Sequence, residues 1–195
     1  MSRHLLSSIV IAFAILLGNG CQKWVVVKQA TPNPFIGQTN FHVEPVGYEG
    51  LMVQDKSEAQ FKADRDGDAN ANWDKDKQRV SNTFISEIKD EADDLQYADA
   101  PGGDVVIVRS KITNMHGGIS MGLTSTAAHI DMTVQLIKGG DVIDEISIAA
   151  NASQGEGVSV MGVATSGYSG SDRLNQASEK LGEIVASYLE SRTSP

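Results

Sequence analysis

The chain has a single cysteine, Cys21, no apolar run of about 20 residues, and no cluster of Lys and Arg. Each absence excludes something. Without a second cysteine no disulfide can form within the domain, so its stability has to come from an ordinary packed core. Without a long apolar run no helix can serve as a permanent transmembrane anchor, which takes about 20 residues. Sixteen Lys and Arg against 25 Asp and Glu leave a net charge of −9. An acidic surface disfavours nucleic acid and anionic lipid as partners, because both require clustered positive charge.

What is present first is a leader. Arg3 and His4 precede an apolar stretch over residues 5–17, which breaks into Gly18-Asn19-Gly20 immediately before Cys21. A charged start, a short apolar segment and small residues are the marks of a signal peptide. The cysteine after small residues resembles the lipobox of bacterial lipoproteins, with Gly18 where a lipobox commonly has Leu. That resemblance implies that the Cys21 thiol carries diacylglycerol, that the chain is cleaved after Gly20, and that the new amino terminus is acylated. The other reading is an ordinary secreted protein with an idle thiol. Gln22, rather than Asp, after the cysteine implies the outer membrane under the enterobacterial sorting rule. Cleavage removes Arg3 and leaves 175 residues at a net charge of −10, the length of one domain.

Residues 22–38 read as a linker, with Pro32 and Pro34 favouring extended chain. Its short apolar run, Trp24 to Val27, would either touch lipid or dock on the domain. Beyond it, alternation over residues 41–48 marks a first strand. Val80, Phe84, Ile88, Ala92 and Leu95 then recur at helical spacing, with Trp73 on the same stripe, which predicts a helix from near Asn72. Residues 104–112 begin with four apolar side chains and point to a central strand covered on both faces. Ala128, Ile130, Met132, Val134 and Leu136 alternate with polar residues, and a Gly139-Gly140 turn leads into another strand over 142–150. A three-residue loop there pairs Val134 with Ile146, Met132 with Ile148 and Ile130 with Ala150, keeping one face apolar. A last helix covers about 171–191, with Ser171 as N-cap.

The expected fold class is α+β: a two-layer sandwich with a small mixed four-stranded sheet, in the order strand-helix-strand-strand-strand-helix, and two helices on one face. The expected organisation is a leader over 1–20, a lipidated N-terminus and linker over 21–39, a single domain over 40–192 and a disordered tail over 193–195.

Two connections, 113–126 and 151–170, must leave the same end of the sheet, opposite the Gly139 hairpin. Both are rich in glycine, serine and medium apolar residues, and they present Ile119, Met121 and Leu123 in one and Val158, Val160, Met161 and Val163 in the other. Such loops at one pole form a contact surface, fold into an added hairpin, or touch membrane.

Catalytic motifs fail on context. Gly118-Ile119-Ser120-Met121-Gly122 matches G-x-S-x-G in form, but a strand rather than a helix follows it, and the last histidine, His129, comes too early for the nucleophile-acid-histidine order of a hydrolase. The acidic stretch from Asp64 to Asp74 looks like a calcium loop, yet Ala69 and Lys75 stand where an EF-hand needs Gly and Glu. A solvated loop capping the next helix is the expectation there. His42, His116 and His129 have no second ligand at metal spacing, and the glycine-rich segments lack a phosphate loop's Lys-Ser/Thr. His129 and Asp131 share one strand face and can form a local pair. Neither cofactor nor metal is expected.

The features from Phe41 to Leu189 resemble a group of uncharacterised bacterial lipoprotein domains: Asp104-Val105-Val106-Ile107-Val108, the glycines from Gly117 to Gly122, the alternation from Ile130 to Leu136, and Gly140-Asp141-Val142-Ile143-Asp144-Glu145. The arrangement also looks like the periplasmic α/β domain of the curli-secretion channel lipoprotein and of lipoprotein activators of peptidoglycan synthases. The resemblance implies a non-enzymatic binding or assembly role. The leading expectation is a lipid-anchored envelope module that binds another envelope protein or itself through the two glycine-rich loops. An oligomeric outer-membrane pore or secretion component is the alternative, and a hydrolase a third.

Overall fold

Burial on every second residue of three long strands sets the plan of the molecule. The computed structural model describes residues 23–117, 120–121, 124–125, 127–152 and 170–195. Along the chain these are β1 (Trp24–Lys28), β2 (Asn40–Val43), β3 (Met52–Val53), β4 (Lys56–Ser57), α1 (Glu58–Ala63), α2 (Gly67–Glu91), β5 (Gln96–Tyr97), β6 (Val106–His116), β7 (Ser120–Met121), β8 (Thr124–Ser125), β9 (Ala128–Lys138), β10 (Asp141–Ala152) and α3 (Gly170–Thr193). The α+β class holds, but the sheet is mixed and eight-stranded rather than four-stranded. It follows the path β1-β10-β9-β6-β2-β5, with β3 joined to β6 and β4 to β3. The four expected strands, β2, β6, β9 and β10, lie together within that path. The others have two residues each, too few for alternation to register, or follow the cysteine in a stretch whose prolines argue for open chain.

Val106, Val108 and Ile112 of β6, Ile130, Met132, Val134 and Leu136 of β9, and Ile146, Ile148 and Ala150 of β10 are buried. They form one core with Trp73, Val80, Phe84 and Ile88 of α2 and with Leu174, Leu181, Val185 and Tyr188 of α3. Alternate positions on the other side of the sheet are half-buried or exposed, apart from Ile137 near the end of β9, which is buried. This corrects the expectation that β6 is covered on both faces: Arg109 and Lys111 are exposed, and among the described residues no second layer lies over them. At Gly182 of α3 the two helices approach closely, and an added Cβ would lie 2.5 Å from Glu87 Cβ.

The β9–β10 pairing has Val134 opposite Ile146, Met132 opposite Ile148 and Ile130 opposite Ala150, as the side chains required. The route to it differs. Asp141 pairs with Lys138 across a two-residue turn, Gly139-Gly140, and an irregularity between Val142 and Asp144 supplies the extra residue. Both glycines have positive φ, +64° and +89°, which favours glycine at each.

Two further segments are more ordered than alternation implied. Helix α2 starts at Gly67, not near Asn72, because the Asp66 carboxylate accepts from the Ala69 amide at 2.7 Å as N-cap. Much of the acidic stretch taken for a solvated loop is thus the helix's first turns. Residues 24–38 are tied to the domain rather than a free linker. Strand β1 pairs antiparallel with β10, and Trp24 stacks edge-on against Tyr188 with centroids 5.4 Å apart. The chain then follows the end of α3. Ala30 N–H donates to Asp144 Oδ1 at 2.9 Å, Asn33 Nδ2 to the Arg192 carbonyl at 2.8 Å, and Gly37 N–H to the Thr193 carbonyl at 2.9 Å.

Candidate functional site

The strand ends locate the pole. His116 at the end of β6 lies opposite His129 on β9, and His129 lies opposite Asn151 on β10. Both glycine-rich segments therefore leave from adjacent strands at one end of the sheet. Within the first segment β7 and β8 pair as a separate small hairpin, Ser120 opposite Ser125 and Met121 opposite Thr124. Of the predicted contact residues, Met121 lies in β7, while Ile119, Leu123, Val158, Val160, Met161 and Val163 lie outside the described residues. Cys21 also lies outside them.

A polar chain ties the three strands together beneath that pole. His129 places Nδ1 2.7 Å from Asn151 Oδ1 and Nε2 2.9 Å from Asp131 Oδ1, and Asn114 Nδ2 donates to Asp131 Oδ2 at 3.1 Å. The His129–Asp131 pair expected from their spacing is present. Both ring nitrogens are engaged, so the arrangement braces the pole's roots and leaves no open base. This brace includes Asn114 and Asn151, which sequence reasoning missed. β6 and β10 run past the residues where apolar alternation stops, and that continuation was the signal.

The open face of the sheet carries a shallow depression of about 420 Å³ lined by Glu44, Arg109, Lys111, Thr133, Gln135 and Glu145 among others. Two of its carboxylates are engaged by neighbours. Arg109 grips Glu44 bidentately, Nε to Oε2 at 2.7 Å and Nη2 to Oε1 at 3.1 Å, and that hydrogen bond holds the Glu44 carboxyl below its ordinary value against a smaller opposing effect of burial. Gln135 Nε2 donates to Glu145 Oε2 at 2.7 Å. A metal-holding group of three or more His, Cys, Asp or Glu side chains is absent among the described residues. At the sheet edge, β1 exposes Val25, Val26 and Val27 at 68%, 39% and 59%.

The fold and these surfaces define an α+β domain whose mixed sheet is backed by helices on one side, polar on the other, and rooted with two glycine-rich segments at one end. No protein-family model matches the chain, and no curated protein matches it. Among solved structures, a PelC dodecamer from Paraburkholderia phytofirmans is similar at 10% identity and a TM-score of 0.38, covering 74% of this chain and 88% of its own. A dodecamer of a PelC variant from the same organism is similar at 10% identity and 0.35, over 83% and 95%. An uncharacterised protein is similar at 12% identity and 0.45, over 83% and 97%. At this distance the likeness carries no role with it.

Proposed function

We propose that this protein is a lipid-anchored cell-envelope lipoprotein, held at the outer membrane through Cys21 and facing the periplasm, that acts without catalysis as a binding or assembly module. Its partner is another envelope protein or a second copy, and its contact surface is the pole of the two glycine-rich segments. The observation that carries the reading is the rung His116, His129 and Asn151 on three adjacent strands, which roots both apolar segments side by side. A shared, braced root is what a two-loop contact surface requires. Among the described residues of the first segment, β7 and β8 have two residues each, whereas the pore alternative needs crossing strands of about 9–11.

Photocrosslinking side chains placed at Met121 and Met161 in cells test the reading. Both positions should capture the same discrete partner, and the same probe at Asp93 should not. Capture of no defined species at either pole position, with the protein in the membrane fraction, overturns it.

A further inference from the structure

We infer that the outer edge of β1 is a lipid-contact surface: Val25, Val26 and Val27, bracketed by Lys23 and Lys28, rest in the headgroup layer of a membrane containing anionic lipid. The inference rests on the reading of Cys21 as acylated and deepens it by saying which part of the domain the lipid meets.

Chain length comes first. Only Gln22 and Lys23 separate Cys21 from Trp24, where β1 begins. Three Cα steps span at most about 11 Å, so acyl chains on Cys21 hold β1 at the membrane surface. A tether running to residue 39 would have let the domain float free. Pairing of β1 with β10, the Ala30 contact with Asp144 of β10 and the contacts of Asn33 and Gly37 with α3 remove that slack.

Exposure comes second. Among the described residues β1 pairs with β10 alone, and its three consecutive valines are exposed, as is Ile36 in the same stretch at 58%. Valines in a row on an edge strand invite a partner. The headgroup layer suits this edge better than the hydrocarbon core, because its water can hydrate the outward backbone N–H and C=O groups, which a dry lipid interior would leave unsatisfied.

Charge comes third. The first acidic residue of the chain is Glu44, so all 25 Asp and Glu lie beyond residue 43, while Lys23 and Lys28 fall in the acid-free part. The net negative charge that disfavours anionic lipid thus belongs to the rest of the domain. Lys23, two residues from Cys21, reaches lipid phosphate while its stem lies along the apolar strand, whereas Lys28 lies opposite Glu145 of β10 and donates to the Val142 carbonyl.

The test uses the full chain, expressed with its leader, purified with its acyl chains and reconstituted in vesicles of phosphatidylethanolamine and phosphatidylglycerol. With Cys21 acylated, Val27→Cys supplies the one free thiol for an environment-sensitive fluorophore. Val25→Cys is a second position and Asp93→Cys, exposed in the turn after α2, a control. Blue-shifted emission quenched by spin-labelled lipid at Val27 and Val25, but not at Asp93, is the expected result, and Lys23→Ser should reduce it in anionic vesicles. Water-like emission at both valine positions in a chain whose mass shows acylated Cys21 overturns the lipid contact and leaves the anchor standing. An unmodified Cys21 overturns both. Close approach of labels on two copies without lipid quenching assigns the edge to a second copy and also overturns the inference.

Discussion

Asp144 is fully buried in the sheet beside the core. Its carboxylate accepts from Arg192 Nε at 2.6 Å, from the Tyr188 hydroxyl at 2.7 Å and from the Ala30 amide at 2.9 Å, joining β10, the end of α3 and the chain after β1. Burial, and then this carboxylate, push the Tyr188 hydroxyl well above its ordinary value, so it donates at any physiological pH. Asp144→Ala leaves the Arg192 guanidinium without its counter-charge, and urea unfolding should show a loss of about 3–5 kcal/mol. Tyr188→Phe removes one hydrogen bond to a charged group and should cost less, about 1.5–3 kcal/mol. Glu87 behaves in the opposite sense. Burial, and then Glu91, Glu179, Glu183 and Asp90, raise its carboxyl above 4.5. The fold therefore disfavours the ionised form, a penalty present above the folded value and absent once pH falls below 4.5. Glu87→Gln should raise the melting temperature at neutral pH, and the gain should shrink to nothing as pH is lowered through the window just above 4.5.

Where an element meets its neighbours, the packing of backbone decides more than propensity does. Alanine in place of a helical glycine ordinarily gains roughly 0.5–1 kcal/mol. At Gly182 the new Cβ would lie 2.5 Å from Glu87 Cβ and 3.1 Å from the Phe84 carbonyl oxygen. Gly182→Ala should therefore lower the melting temperature, because α2 and α3 have to move apart. Asp66→Ala, which strips the N-cap of α2, should cost about 1 kcal/mol by the same measurement. These positions also mark how far the sequence was legible. The β9–β10 pairs could be read because a one-residue slip would have turned Ile146 and Ile148 to solvent. The turn could not, since a two-residue loop with an irregularity at Ile143 yields the same pairs as a three-residue loop. Helix α2 was readable from Val80 onward. Its first turns hold one buried residue, Trp73, and so lack the apolar repeat that signals a helix. Asp144 sits in the same inward phase as Ile146 and Ile148, and a charged residue in that phase was the overlooked sign of the buried network. Of the predicted contact surface, the roots were legible from strand direction alone.

For the molecule as a whole, the segment after Cys21 changes from a leash into a wall of the domain. A leash is dispensable: removing it would leave the unfolding transition of the rest unchanged. Strand β1 instead covers one edge of β10, a 12-residue strand, and puts Trp24 against Tyr188. A chain that starts at Ala30 loses that cover while keeping the Ala30 contact with Asp144. The bare β10 edge then offers a long row of unpaired backbone groups next to Ile146 and Ile148, the kind of edge that pairs with another chain. Such a truncated protein should unfold at lower urea than one starting at Gln22, and it should associate in a concentration-dependent way by light scattering. Equal midpoints and a monomer at every concentration would mean that β1 adds nothing to the fold. The exposed valine edge and the buried Asp144 network would then no longer form one continuous connection through the domain.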